Sequence, residues 1–314
     1  MADRCKICPR ECGVNRFAIG AAKWVAVDTV NRSENEVGYC GAGREIYVAR
    51  TMLHMWEEPC ISGENGSGAV FFCGCPLRCV YCQNREISRF EPGFGRKVTV
   101  NELADIILDL QERGAHNVNF VSPTQYTYHI IEAVTNIKGK LEIPVVWNTG
   151  GYEKVDTIKD LRGIVDVYLM DFKYADSSTA NDYSSAENYP EIAANALAEM
   201  VNQAGECVIE SGLMKKGVIV RHLVLPSKRA ESVRVLDKVK YAVNDVSRIT
   251  LSLMSQYTPD FADECPYPEL KRRVTSFEYD FVCEAAEKMG FAGYTQDKQS
   301  AEKSYRPEWE RGKR

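Results

Sequence analysis

The sequence predicts an α/β protein: a partial (β/α)6 barrel preceded by a small cysteine-rich N-terminal module. Two observations predict it. Short β-branched runs alternate with helical patterns through the middle of the chain, and nine of the twelve cysteines fall within the first 82 of 314 residues. The strand candidates are Ala69 to Cys73, Val118 to Val121, Pro144 to Trp147, Val167 to Met170, Val218 to Val224 and Ile249 to Leu253. Helices are expected near 99–113, 127–138, 154–161, 190–204, 227–241 and 275–289. Near-continuous apolar strands separated by helices favour a parallel sheet, because each crossover lays a helix on the sheet face. Right-handed crossovers curve that sheet into an open barrel, with functional groups at the C-terminal strand ends.

Residues 1–65 read as a metal-binding module: loop-rich, with a Gly38-Tyr39-Cys40-Gly41 turn and one β-like run, Trp24 to Val27. The turn-rich stretch Ser62 to Gly68 marks its boundary. The barrel is expected over 66–300 and a C-terminal tail over 301–314.

The chain has 39 Lys and Arg against 44 Asp and Glu, a net charge of −5, with neither sign gathered into a block. That gives no electrostatic case for nucleic acid. No apolar run approaches the roughly 18 to 20 residues that span a bilayer, and the start Met1-Ala2-Asp3-Arg4-Cys5 lacks a signal peptide's apolar stretch. A cytoplasmic protein without a membrane partner is expected. Clustered thiols in a reducing compartment then read as metal ligands rather than disulfides.

Immediately after the first expected strand comes Cys73-Gly74-Cys75-Pro76-Leu77-Arg78-Cys79-Val80-Tyr81-Cys82. A 4Fe-4S cube takes four thiolates, and Cys75, Cys79 and Cys82 supply three at close, uneven spacing, leaving one iron open. Zinc instead prefers a closed tetrahedral set, usually paired C-x2-C or with nearby histidines, and neither accompanies this loop. Cys73 would complete four, but it sits two residues before Cys75 on the strand, where the pleat aims both side chains the same way only if the strand continues. Structural zinc or buried free thiols is the plainer alternative.

This loop, with aromatic Tyr81 just before its last cysteine, resembles the signature of the radical SAM superfamily, whose members use S-adenosylmethionine (SAM). Glu57-Glu58-Pro59-Cys60-Ile61-Ser62-Gly63, Phe71-Phe72-Cys73-Gly74-Cys75 and Cys82-Gln83-Asn84-Arg85-Glu86-Ile87-Ser88 more narrowly resemble the pyruvate formate-lyase activating enzyme-like branch, a group of glycyl-radical activating enzymes. The likeness runs through most of residues 1–260. It implies a barrel of radical SAM type, an oxidoreductase with a 4Fe-4S cluster on Cys75, Cys79 and Cys82, and SAM chelated to the open iron. It also implies a low-potential electron donor such as flavodoxin or ferredoxin. Reductive cleavage would give a 5′-deoxyadenosyl radical that takes hydrogen from a substrate, here a protein or peptide, as in the glycine of a glycyl-radical enzyme.

The strand ends then become candidates for holding SAM, together with Tyr81. Ser122 and Thr124 stand where related enzymes carry a glycine-glycine-glutamate motif that this sequence lacks. Asn148 is a candidate SAM contact, or a cap for the following helix. Asp171 and Lys173 resemble the Asp-x-Lys element of activating enzymes, and strand alternation puts both charges on one face. Lys173 is the candidate catalytic partner for the SAM carboxylate, and an ordinary ion pair is the alternative. Arg221 suits a carboxylate through its planar fork. His222 reads as a structural histidine more than a radical-site one. Leu251 to Tyr257 offers backbone and apolar contact for adenine, or plain core packing.

Cys5, Cys8, Cys12 and Cys40 form a second candidate site, for an iron-sulfur cluster or zinc, with Cys60 or His54 as substitutes for the fourth ligand. Gly290-Phe291-Ala292-Gly293-Tyr294 looks superficially like the radical-storing glycine loop, but a helix end and short strand explain it better. Three functions are therefore weighed: glycyl-radical activation, radical SAM modification of another peptide or small molecule, and a non-catalytic electron carrier or zinc protein. Six polar strand ends argue against the third, which needs no cavity.

Overall fold

The computed structural model describes residues 4–14, 37–90, 93–260 and 265–296. The β-like run at Trp24 to Val27 and the tail at 301–314 lie outside the described residues.

Each expected βα unit is present. The strands are β1 (Ile46–His54), β2 (Ser67–Phe72), β3 (Arg96–Val98), β4 (Val118–Val121), β5 (Val145–Thr149), β6 (Val167–Asp171), β7 (Val208–Glu210), β8 (Leu213–Leu223), β9 (Thr250–Met254) and β10 (Gly293–Thr295). The helices are α1 (Pro59–Ser62), α2 (Arg85–Ser88), α3 (Val100–Glu112), α4 (Thr127–Asn136), α5 (Val155–Asp160), α6 (Ser177–Ser184), α7 (Tyr189–Ala204), α8 (Arg229–Val243) and α9 (Ser276–Lys288). The sheet order is β10-β9-β8-β6-β5-β4-β2-β1-β3, and the run from β2 to β10 is parallel throughout. β1 joins antiparallel to β2 and β3. The sheet is a partial barrel, open between β10 and β3, and it begins at Ile46, upstream of the turn-rich stretch read as a boundary.

The parallel strands are apolar because both faces are covered. Outward residues such as Val70, Phe120, Trp147, Tyr168 and Val220 meet the helices in one large core. α3 shows how a helix joins it. Thr99 and Glu102 form a capping box at its start, and Leu103, Ala104, Ile107 and Leu110 bury one face. Each large aliphatic side chain buried there stabilises the fold by roughly 1.5–3 kcal/mol. Inward residues Val146, Val167, Leu169 and Ile219 pack instead on Cys60 and Ile61 of α1, which plugs the barrel floor. Above that floor the inward positions turn polar. This change of chemistry along the strands sets the site at their C-terminal ends. At the far edge, α9 gives way to Gly290 and β10, so the glycine motif there is a helix end and strand.

Candidate active site

Cys75, Cys79 and Cys82 lie on the loop from β2 to α2. Gly74 has φ +88, and an added Cβ would sit 2.5 Å from the Cys40 carbonyl oxygen, so only glycine fits. Backbone bonds fix the loop: Gly74 N donates to Ile87 O (2.7 Å), Cys75 N to Cys40 O (3.2 Å) and Val80 N to Tyr183 O (2.9 Å). Gln125 Nε2 donates to the carbonyls of Cys73 (3.1 Å) and Gly74 (2.9 Å). Cys82 N donates to Cys79 O (3.1 Å), which closes a turn around the last two thiols.

The three thiols feel one another. Burial pushes Cys75 up to about 12, with the neighbouring Cys79 and Cys82 sulfurs adding to it. Burial and Cys79 raise Cys82. Three crowded sulfurs in a dry loop become thiolates only against positive charge, which iron supplies. The donor set therefore fits an iron-sulfur cluster held by three ligands. Cys73 is directed elsewhere, with its Sγ 3.8 Å from Phe94 O.

Beside the loop is a chain of buried charges. Arg221 Nε donates to Asp171 Oδ1 (2.8 Å), Nη1 to Glu57 Oε2 (2.9 Å) and Nη2 to Asn148 Oδ1 (2.6 Å). Glu57 Oε1 also accepts from Asn119 Nδ2 (2.9 Å) and Asn148 Nδ2 (3.2 Å). Lys173 Nζ donates to Asp171 Oδ2 (2.7 Å). Burial would raise Asp171, but the Arg221 and Lys173 cations outweigh it and hold the carboxyl down to about 2. Burial opposes the Lys173 charge, yet Asp171 first and then the Cys79 sulfur keep its ammonium well above the usual lysine range. Gly150 makes room here, since a Cβ would lie 2.8 Å from Leu77 Cδ1 and 3.3 Å from Lys173 Cε. Tyr189 Oη ties the strand ends together, sharing its one hydrogen between the carbonyls of Gly150 (3.0 Å) and Asp171 (2.8 Å) and accepting from Lys173 N (2.8 Å).

The structure thus unites Asn148, Asp171, Lys173 and Arg221 near the three cysteines. Asn148 points inward to Arg221 and Glu57 and does not cap α5, whose start has no side-chain cap. Every Arg221 nitrogen already donates to a protein acceptor, so its fork braces the site. Tyr81 packs edge-on against Tyr174, Tyr183 and Tyr257. Ser122, at φ +55, donates its N–H to Asn148 O (3.0 Å). Thr124 lies apart: its hydroxyl donates to Glu153 (2.9 Å) on the far side of β5. His222 alternates outward, its Nδ1 2.7 Å from Phe172 O, and burial pulls it down to about 4, a neutral core histidine. Ser252, opposite Arg221 in the β8–β9 register, is the inward member of the sixth strand end.

Glu57 and Glu58 were not among the sequence candidates. Both precede α1, and Glu58 is raised by burial despite Arg221 nearby. Two adjacent acids directly before a Pro-Cys-Ile turn were the available signal.

The N-terminal cysteines gather separately. Cys5, Cys8, Cys12 and Cys40 line one small cavity with Arg10, Tyr39, Pro76 and Thr124. A Cβ on Gly38 would be 3.2 Å from Cys12 Sγ and 3.3 Å from Cys40 Sγ. Cys40 is the fourth member of this group. Cys60 lies in the barrel floor, and His54 packs on Phe71. Arg10 binds this segment to the radical loop through Pro76 O (2.9 Å) and Ser184 O (2.8 Å).

Residues 69–226 match the family model described as the radical SAM superfamily. The chain belongs to the radical SAM superfamily. Membership makes it an enzyme that uses SAM with a 4Fe-4S cluster, which agrees with the donor set of the loop. An uncharacterized protein of Methanocaldococcus jannaschii, MJ0674, is 30% identical over 294 residues, covering 90% of this chain and 74% of the relative. A second protein of that organism, MJ0808, is 23% identical over 263 residues, 82% of this chain and 71% of the relative. A crystal structure of a radical SAM methyltransferase from Sphaerobacter thermophilus shares the fold, with a TM-score of 0.51 at 12% identity over 76% of this chain and 69% of that one. No helix among the described residues is long and apolar enough to cross a membrane.

Proposed function

We propose that this radical SAM enzyme directs its radical at a glycine of a protein partner, as a glycyl-radical activating enzyme. The observation that carries the radical chemistry is the convergence of three thiols, with Cys73 turned away and the Lys173 ammonium beside Cys79. The choice of a peptide glycine is supported by the three motifs at 57–63, 71–75 and 82–88.

Cys75, Cys79 and Cys82 would hold the cluster. With one electron from a low-potential donor of flavodoxin or ferredoxin type, a cluster held there would supply reductive cleavage of the C5′–S bond of SAM, with methionine leaving and a 5′-deoxyadenosyl radical as the hydrogen-abstracting species. Lys173 offers its remaining N–H donors to the SAM carboxylate, and Asp171 fixes the direction of that ammonium. Arg221, Glu57 and Asn148 keep Asp171 ionised and in place, so the donor array is organised before SAM enters. Tyr81 and its aromatic neighbours wall the loop from water. The N-terminal quartet holds a second metal, either a closed iron-sulfur cluster or zinc, that braces the radical loop through Cys40 and Arg10.

The test is anaerobic cluster reconstitution, reduction with SAM and measurement of 5′-deoxyadenosine with and without candidate glycyl-radical proteins. A partner-dependent glycyl signal by electron paramagnetic resonance is expected. 5′-Deoxyadenosine without that signal, across the glycyl-radical proteins of the organism, assigns another peptide or a small molecule instead.

A further inference from the structure

The geometry points to Ser184 as a residue that raises the reduction potential of the radical-generating cluster, through a hydrogen bond from its hydroxyl to the Cys79 sulfur. The inference rests on the proposal that Cys79 is a cluster ligand.

Ser184 Oγ donates to Cys79 Sγ at 3.0 Å. The donor is 2% exposed, so no water competes for the sulfur from that side. Its position is built in. Ser184 is the last residue of α6, and Ser185 ends that helix in the left-handed region at φ +48. The final turn is pinned onto the cysteine loop by Val80 N donating to Tyr183 O (2.9 Å) and by Arg10 Nη2 donating to Ser184 O (2.8 Å). The hydroxyl is backed by Tyr174, whose Oη lies 2.7 Å from Ser184 Oγ. A ligated Cys79 has no hydrogen to give. Ser184 therefore gives its own to the sulfur; the Tyr174 phenol, which donates to Tyr81 Oη (2.8 Å) while the thiol is free, then turns its hydrogen to Ser184 Oγ, and Tyr81 becomes the donor to Tyr174. Tyr174 is itself buried, with edge-on contacts to Tyr81, Tyr183 and Tyr189.

A donor aimed at a ligand sulfur favours the reduced cluster, because the electron added on reduction increases the negative charge that the bond stabilises. The cluster gains one electron from an external reductant, and the hydrogen remains on the Ser184 oxygen throughout. Bound by a dry, oriented donor, the reduced state is easier to reach than three cysteines alone would make it. The other two sulfurs have donors of their own, the backbone N–H groups of Arg78 and Leu77 at Cys75 and the Ser88 side chain with Asn84 N–H at Cys82, and Ser184 acts at Cys79.

The experiment uses the full chain, reconstituted anaerobically, as wild type, Ser184→Ala and Tyr174→Phe. A potentiometric titration followed by electron paramagnetic resonance reads the midpoint. Ser184→Ala is expected to keep its iron content while the equilibrium for reduction falls roughly tenfold, about 59 mV for one electron. Tyr174→Phe shifts it the same way by less. Pulsed resonance of the reduced wild type in D2O is expected to show an exchangeable deuteron coupling that is missing in Ser184→Ala, while those of the donors to Cys75 and Cys82 remain, which a merely structural role would not produce. Unchanged midpoints and an unchanged deuteron signal in both variants overturn the inference, with the cluster intact. Should Ser184→Ala fail to retain iron, Tyr174→Phe decides: an unshifted midpoint there overturns it too. A wild type without a cluster that responds to SAM overturns the underlying proposal instead.

Discussion

The two cysteine groups are built over two buried carboxyls in opposite electrostatic states. The three-thiol loop adjoins Asp171, which Arg221 and Lys173 hold ionised at about 2. The four-thiol group adjoins Thr124, whose partner Glu153 has no cation beside it among the described residues and is pushed by burial up to about 7. Charge was placed under the site that must orient an anion and organise an electron transfer. The other site rests on a carboxyl bonded to neutral donors, Thr124 Oγ1, Trp147 Nε1 and the Thr149 side chain. A centre that binds an anionic ligand needs aimed donors, whereas a closed metal, as proposed for the four-thiol group, would need only a stable floor.

Replacing single ligands breaks that comparison most sharply. Cys79→Ala should reduce 5′-deoxyadenosine formation to background, and Cys75→Ala and Cys82→Ala should match it. Cys283→Ala should retain it, since Cys283 sits on α9 against the outer core. Equal loss in Cys283→Ala would point to misfolding in every variant and remove the distinction. Next in size, Cys12→Ala should lower metal per chain by the content of one site, measured by plasma mass spectrometry, while the cluster at the loop still cleaves SAM. Abolished cleavage there, with the loop cluster spectroscopically intact, would show that the quartet takes part in electron transfer.

Much of this was legible in sequence. Six apolar runs and the helices between them specified the parallel sheet, because strands buried on both faces carry few polar residues to blur the pattern. Asp171 and Lys173 were readable from their resemblance to the Asp-x-Lys element together with strand alternation. β1 was not: only its ends bury regularly, and its middle residues are half exposed. α6 was equally silent, since Ser177 to Ser184 is polar and lacks a continuous apolar stripe. Thr124 ended in a different place from Ser122 because the chain turns between them, with Ser122 in the left-handed region. Glu57 escaped because its partner Arg221 is distant in sequence and the link exists only once the barrel curves.

Arg221 sharpens the contrast thermodynamically. Arg221→Met leaves Glu57 and Asp171 facing each other without their shared cation, and removing one partner from a buried ion pair costs about 3–5 kcal/mol. The guanidinium side chain is 13% exposed and that of Glu57 8%, so water rescues little. Chemical denaturation should show the midpoint fall accordingly. A change below about 1 kcal/mol, the size of a surface pair, would mean that the network is solvated.

The smallest effect is a pH slope, and it isolates the second carboxyl. Glu153 titrates near 7 in the folded chain against an ordinary value of 4.5. A group raised in this way contributes fully below 4.5, and its contribution declines as pH rises through 7, because the unfolded chain then ionises more readily. The loss is of the order of 3 kcal/mol across that window. Glu153→Gln retains an oxygen for Thr124 and Trp147 but cannot ionise. Denaturation between pH 4.5 and 8 should therefore show wild type losing stability with rising pH and the variant losing less. Asp171 leaves this window untouched, since a carboxyl held at about 2 contributes fully above its ordinary 3.8 and loses that only as pH falls toward 2. Parallel slopes for the two proteins would mean that Glu153 is hydrated or already paired with a cation, and the two cysteine groups would then rest on floors of the same kind.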